Sequence, residues 1–229
     1  MNVQGYQKLS LLDYPEKTAC TVFTGGCNLR CPFCHNASLI RTPFEAVSRE
    51  TEVLEYLSRR KGLLDGVCVT GGEPLLQPDL AAFTAKLKSM GYLVKLDTNG
   101  TLPERLRELL ATGTVDYVAM DVKNSLAGYA KAVGCEIDTQ KITESIGLIQ
   151  SSGIAHEFRT TAVKGIHTPA DVEAIAQLIG PRSPYFIQGF VDSGNLLGTG
   201  CAAFADEEQE QLLSAAKKHD PLSRLRGNG

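Results

Sequence analysis

Short apolar runs alternate with amphipathic stretches along the chain. The runs at 19–24, 66–70, 93–97, 115–121, 155–163 and 185–190 have the length and β-branched content of buried strands. Between them the spacing predicts helices over about 49–60, 79–90, 103–111, 141–151 and 169–179, and a C-terminal helix over about 205–218. Val172, Ile175, Ala176 and Ile179, for example, fall on one helical face. Six strand–helix units in succession imply an α/β fold with a parallel sheet and right-handed crossovers. Periodicity does not separate an open doubly wound sheet from a partial barrel. No linker or repeat divides the chain, so one domain over 1–229 is expected, with a core of about 16–191 and a fraying tail from Arg224 to Gly229.

Composition changes this picture little. Hydrophobic residues make up 43% and charged residues 21%, ordinary values for a globular protein. A net charge of −3 gives no electrostatic reason to bind nucleic acid or an anionic membrane. Residues 1–10 lack the apolar core of a signal peptide, and no run approaches the roughly 20 apolar residues that span a bilayer. A cytoplasmic protein with no nucleic-acid or membrane partner is expected.

The seven cysteines change it more. An odd count without a secretory leader argues against a disulfide framework. Cys20, Cys68, Cys135 and Cys201 are scattered and read as packing residues. Cys27, Cys31 and Cys34 instead form C-x3-C-x2-C. Three thiolates on one loop can bind three irons of a cubane cluster and leave the fourth iron open. A structural zinc would require a fourth ligand, for which His35 is badly placed. A thioredoxin-type site would use Cys31 and Cys34 and leave Cys27 unexplained.

The unusual polar strings all follow predicted strands: Gly25-Gly26-Cys27, Thr70-Gly71-Gly72-Glu73-Pro74, Asp97-Thr98-Asn99-Gly100 and Asp121-Val122-Lys123. Ligands bind at the carboxyl ends of parallel strands, so these strings are expected to meet at one site. Taken singly, each has a plainer reading. Gly71-Gly72-Glu73-Pro74 is a tight turn, Asn99-Gly100 favours positive φ, and Arg159 is a salt-bridge partner for Asp97 or Asp121.

The stretch from Phe23 to Asn36, with Phe33 completing C-x3-C-x-aromatic-C, resembles the signature of the radical S-adenosylmethionine (SAM) superfamily. The resemblance implies a partial (β/α)6 TIM-like barrel in which Cys27, Cys31 and Cys34 hold a [4Fe–4S] cluster and SAM chelates its fourth iron. Reductive cleavage of SAM would then give methionine and a 5′-deoxyadenosyl radical, while the protein positions the cofactors. By the same resemblance Phe33, His35, Gly71, Gly72, Glu73, Asp97, Lys123 and Arg159 contact SAM. Asp97, Thr98, Asp121 and the Met120 carbonyl would hold a monovalent cation, which hard oxygen ligands suit.

Within the superfamily, Cys34-His35-Asn36, Leu96–Gly100 and Met120–Lys123 are similar to the glycyl-radical-enzyme activating enzymes. The chain looks most like the anaerobic ribonucleoside-triphosphate reductase activating proteins. The implied reaction is hydrogen abstraction from a glycine α-carbon of that reductase, with a flavodoxin- or ferredoxin-like electron donor. Two departures bear on the partner. Asp13-Tyr14-Pro15-Glu16 replaces the activases' Asp-Gly-Pro-Gly string, and Gln188-Gly189-Phe190 stands where the pyruvate formate-lyase activase carries a late histidine. The alternatives are a small-molecule enzyme of the 7-carboxy-7-deazaguanine synthase type and a non-catalytic metal-binding interaction module.

Overall fold

The computed structural model describes residues 1–40 and 49–227. Eight strands form one sheet in chain order: β1 (Val3–Ser10), β2 (Ala19–Thr24), β3 (Gly66–Gly71), β4 (Leu93–Thr98), β5 (Tyr117–Asp121), β6 (Ala155–Ala162), β7 (Tyr185–Gly189) and β8 (Arg224–Arg226). Strands β2 to β8 are parallel, and β1 runs antiparallel to β2. The helices are α1 (Ala37–Ile40), α2 (Glu50–Ser58), α3 (Leu80–Ser89), α4 (Pro103–Ala111), α5 (Tyr129–Val133), α6 (Gln140–Ser151), α7 (Pro169–Ile179) and α8 (Asp206–Lys217). The six strands expected from the apolar runs are β2 to β7. They and their helices make an incomplete (β/α)6 barrel, which resolves the choice that periodicity left open.

The parallel strands nearest the sheet's start form on short, largely apolar runs. Ala19 to Val22 and Gly66 to Val69 are buried throughout, as strands covered on both faces must be. The helices then cover the wall with single apolar stripes. In α7, Val172, Ile175, Ala176 and Ile179 are all buried as the spacing required, each large aliphatic contributing about 1.5–3 kcal/mol. Thr168 caps that helix reciprocally with Asp171, and Pro169 opens it.

The two end strands were not expected. In β1 the segment Gln4–Leu9 is polar or exposed, because the strand lies at the sheet's edge. That edge is blunted by α2 and its approach: Arg49 N–H donates to Val3 O at 3.0 Å, and the Tyr56 hydroxyl to Lys8 O at 2.8 Å. At the other end the expected fraying is corrected: Arg224–Arg226 pairs with β7 as β8, and residues 228 and 229 lie outside the described residues. Arg226 fixes β8 by a bidentate pair with buried Glu157 at 2.7 and 2.8 Å and by stacking on Phe186. Strands β1 and β8 do not pair with each other. A cavity of about 410 Å³ lies along this seam, reached by Leu11 and Asp13 from one side and by Gln188 and Arg226 from the other. Among the described residues no helix is long and apolar enough to cross a membrane.

Candidate functional site

The loop after β2 carries Cys27, Cys31 and Cys34, and main-chain hydrogen bonds from several directions fasten it. Gly26 N–H donates to Leu39 O, Arg30 N–H to Val133 O at the end of α5, and Gly198 N–H to Pro32 O, each within 2.8–2.9 Å. The loop after β3 lies directly upon it, with Glu73 N–H on Gly26 O at 2.8 Å. Two glycines permit this approach. Gly71 has φ +116°, and a Cβ on Gly72 would stand 1.8 Å from Gly26 O. Glycine is therefore required for the contact between the two loops.

All three cysteines line one cavity of about 170 Å³ at the carboxyl ends of the strands. Phe33, His35, Gly71, Gly72, Asp97, Thr98, Asp121 and Lys123 line it too, so four separate strand ends open onto one space. Burial pushes the thiols up, Cys31 to about 12, while the Lys123 ammonium draws all three downward. The Leu29 N–H points at Cys27 Sγ at 3.4 Å. Among the described residues no three His, Cys, Asp or Glu side chains surround a single point as a lone metal ion would need. The thiols instead border a space wider than one ion, and soft sulfur donors beside a lysine fit an iron–sulfur cluster, whose ligands deprotonate on binding.

Opposite the thiols lies a paired charge network. Asp97 is met by Lys95 and by Arg159 at 3.3 Å, and Asp121 by Arg159 and Lys123, both at 3.0 Å. Burial alone would raise Asp121, but Arg159 and Lys123 outweigh it and bring the carboxyl down to about 2. Asp97 is lowered likewise, against its burial, by Arg159 and Lys95. Both acids are thus ionised at neutral pH, and each already faces two protein cations.

Two residues expected to contact SAM do not line this cavity. Glu73 is fully buried and absent from the cavity wall. Its carboxylate accepts from Leu75 N–H at 3.0 Å, Thr98 Oγ1 at 2.9 Å and Asn99 N–H at 2.7 Å, tying the loop after β3 to the loop after β4. Burial lifts it to about 7 against those bonds. Arg159 lies behind the carboxylates and faces the seam cavity. The Met120 side chain is fully buried in the core, which leaves its carbonyl, the atom expected to meet a cation, one residue from Asp121 at the end of β5.

Other residues here carried no useful signal in the sequence. His167 is buried and neutral. Its Nδ1 accepts from Val163 N–H at 3.0 Å, so Nε2 bears the proton and donates to Lys123 O at 2.7 Å. It also meets the Phe33 ring edge-on, and so fixes two cavity residues at once. Lys95, only 1% exposed, holds Asp97 from below. Asp13, in the string that departs from the activases, accepts from the Thr21 hydroxyl at 2.5 Å.

Comparison with known proteins agrees with this geometry. The profile described as Radical SAM superfamily matches residues 21–179. A Methanocaldococcus jannaschii protein named for glycyl-radical enzyme activation is 35% identical over 195 residues, covering 82% of this chain and 79% of that one. The 7-carboxy-7-deazaguanine synthase of Hyperthermus butylicus is 40% identical over only 84 residues, 36% of this chain and 35% of that one. Among solved structures, a domain of pyruvate-formate lyase-activating enzyme from Bacteroides vulgatus superposes with a TM-score of 0.58 at 19% identity, over 72% of this chain and 99% of that one. This last likeness speaks for the fold.

Proposed function

Because the chain belongs to the radical SAM superfamily, and is an enzyme using a [4Fe–4S] cluster and SAM, we propose that it activates a glycyl radical enzyme, the anaerobic ribonucleoside-triphosphate reductase. The observation that carries this reading is the meeting, on one cavity, of the three-thiol loop with Asp97, Asp121 and Lys123. When bound, the cluster and SAM supply one-electron cleavage of a sulfonium and, through it, hydrogen abstraction.

The residues of this chain bind, orient and exclude water. Cys27, Cys31 and Cys34 hold the cluster. Lys123 and Asp97 offer opposite charges to the carboxylate and ammonium of SAM, and Gly71 and Gly72 line the cavity beside them. Phe33 and His35 wall the cavity, His35 stacking on Phe190 at 5.7 Å. Glu73 and Arg159 act from behind, by holding the loop after β4 and the two carboxylates. Asp97, Thr98, Met120 and Asp121 are the residues that a monovalent cation would use, in competition with Lys95, Lys123 and Arg159. The described chain works as one unit, and a protein loop would enter at the barrel mouth, where the cluster cavity opens at the carboxyl ends of the strands. An odd cysteine count with three thiols held by a cluster suits a reducing compartment such as the cytoplasm, where a flavodoxin- or ferredoxin-like donor would supply the electron.

The test mixes anaerobically reconstituted protein with SAM, dithionite and the candidate reductase. The expected result is release of 5′-deoxyadenosine and a glycyl doublet in electron paramagnetic resonance. Family membership sets aside the non-catalytic module. The match to the deazaguanine synthase keeps one rival: turnover of a small purine-like substrate with no glycyl signal would overturn the activase reading.

A further inference from the structure

We infer that Asn99 is a positioning residue for the cluster: its side-chain amide donates to Cys27 Sγ and raises the potential at which the cluster accepts its electron. This rests on the reading that Cys27, Cys31 and Cys34 hold a [4Fe–4S] cluster.

Asn99 opens the loop after β4 and is 6% exposed. Its main-chain N–H is anchored on buried Glu73 at 2.7 Å. Its side-chain oxygen accepts from the Thr101 N–H at 3.0 Å and from the Thr101 hydroxyl at 2.6 Å. A backbone N–H can only donate, so the amide oxygen must face Thr101 and the nitrogen must face away. That nitrogen has two hydrogens and two acceptors, Asn28 Oδ1 at 3.0 Å and Cys27 Sγ at 3.8 Å. Asn28 returns a bond from its own amide to the Thr101 hydroxyl at 2.7 Å. Three side chains thus close a ring whose outward N–H is held on the sulfur.

The physical effect has a definite sign. Reduction adds negative charge that is shared with the ligand sulfurs, so a donor on Cys27 stabilises the reduced form more than the oxidised one. Cys27 receives this bond besides the one from Leu29. A hydrogen bond to a charged group changes the reduction equilibrium by about tenfold, or about 59 mV for a one-electron couple. A residue that the sequence marks only as a turn former would therefore help decide whether a physiological donor can charge the enzyme.

The test compares midpoint potentials of reconstituted wild type, Asn99→Leu and Thr101→Val, from redox titrations followed by electron paramagnetic resonance. Asn99→Leu removes the donor without adding charge and should lower the potential by about 59 mV, a tenfold change. Thr101→Val disturbs the same loop but leaves the Thr101 N–H to orient the amide, and should stay near wild type. Should the leucine variant not fold, Asn99→Asp keeps the shape and loses the donor, and must lower the potential at least as far. Equal potentials in wild type and the Asn99 variants, or equal shifts at Asn99 and Thr101, overturn the inference. Wild-type protein that takes up no iron–sulfur cluster would instead sink the reading beneath it.

Discussion

Arg159 and Asp121 face each other across adjacent parallel strands, Nε on Oδ1 at 3.0 Å, while the same guanidinium reaches Asp97 at 3.3 Å. One fork therefore joins two acids contributed by β4 and β5. Replacing it by Arg159→Met leaves two largely buried carboxylates with a single lysine each. Breaking a buried pair in this way is expected to lower stability by about 3–5 kcal/mol. Anaerobic urea unfolding checks this, and a loss below 1 kcal/mol would mean that Lys95 and Lys123 suffice.

Cysteine replacements should divide sharply. Cys31→Ala is expected to lose the cluster and with it SAM cleavage, whereas Cys20→Ala and Cys201→Ser should keep full iron and sulfide content. Metal and sulfide analysis of reconstituted proteins decides the matter. Retained cleavage in Cys31→Ala would refute the ligand assignment.

Two glycine-to-alanine changes should move stability in opposite directions. At Gly72 the added carbon meets the Gly26 carbonyl at 1.8 Å, and backbone cannot swing aside. A loss of about 1–3 kcal/mol is expected, with weakened cluster uptake. At Gly147, exposed in α6 with nothing within 4 Å of a new Cβ, alanine should add about 0.5–1 kcal/mol. Thermal unfolding of both variants gives the comparison.

His167 should make stability depend on pH. Burial lowers its pKa below the ordinary histidine value. Below about pH 6.5 the unfolded chain takes up a proton that the folded chain resists, so stability falls as pH falls through that window, by at most about 1.4 kcal/mol per pH unit. The stability difference between wild type and His167→Gln should accordingly shrink between pH 7.5 and 5.5. A difference independent of pH would show that His167 does not remain neutral there.

Much of the barrel could be read beforehand, because strands buried on both faces are largely apolar, as Gly66–Val69 is. The end strands could not. In β1 only Val3 and Ser10 are buried, so no apolar run marks it, and Arg224–Arg226 is too short for any period to show. At the site, the strings after β2, β3, β4 and β5 disclosed where the chain ends converge, since parallel topology dictates it. They did not disclose orientation. Glu73 turns inward because three donors from two loops wait for it, and Arg159 stands behind the acids because of its place along β6. His167 and Asn99 were illegible for the same reason: their partners, Lys123 and Asn28, lie 44 and 71 residues away.

The fastening of the cysteine loop has a consequence for how the enzyme matures. Gly26, Arg30, Pro32 and Glu73 secure it through main-chain hydrogen bonds in which no sulfur takes part. The cradle is therefore expected to form without iron, unlike a zinc finger, which folds only around its metal, and circular dichroism of iron-free and reconstituted protein would check it. Assembly becomes the loading of a finished receptacle, and iron-starved cells should accumulate a folded, refillable protein rather than debris for proteases.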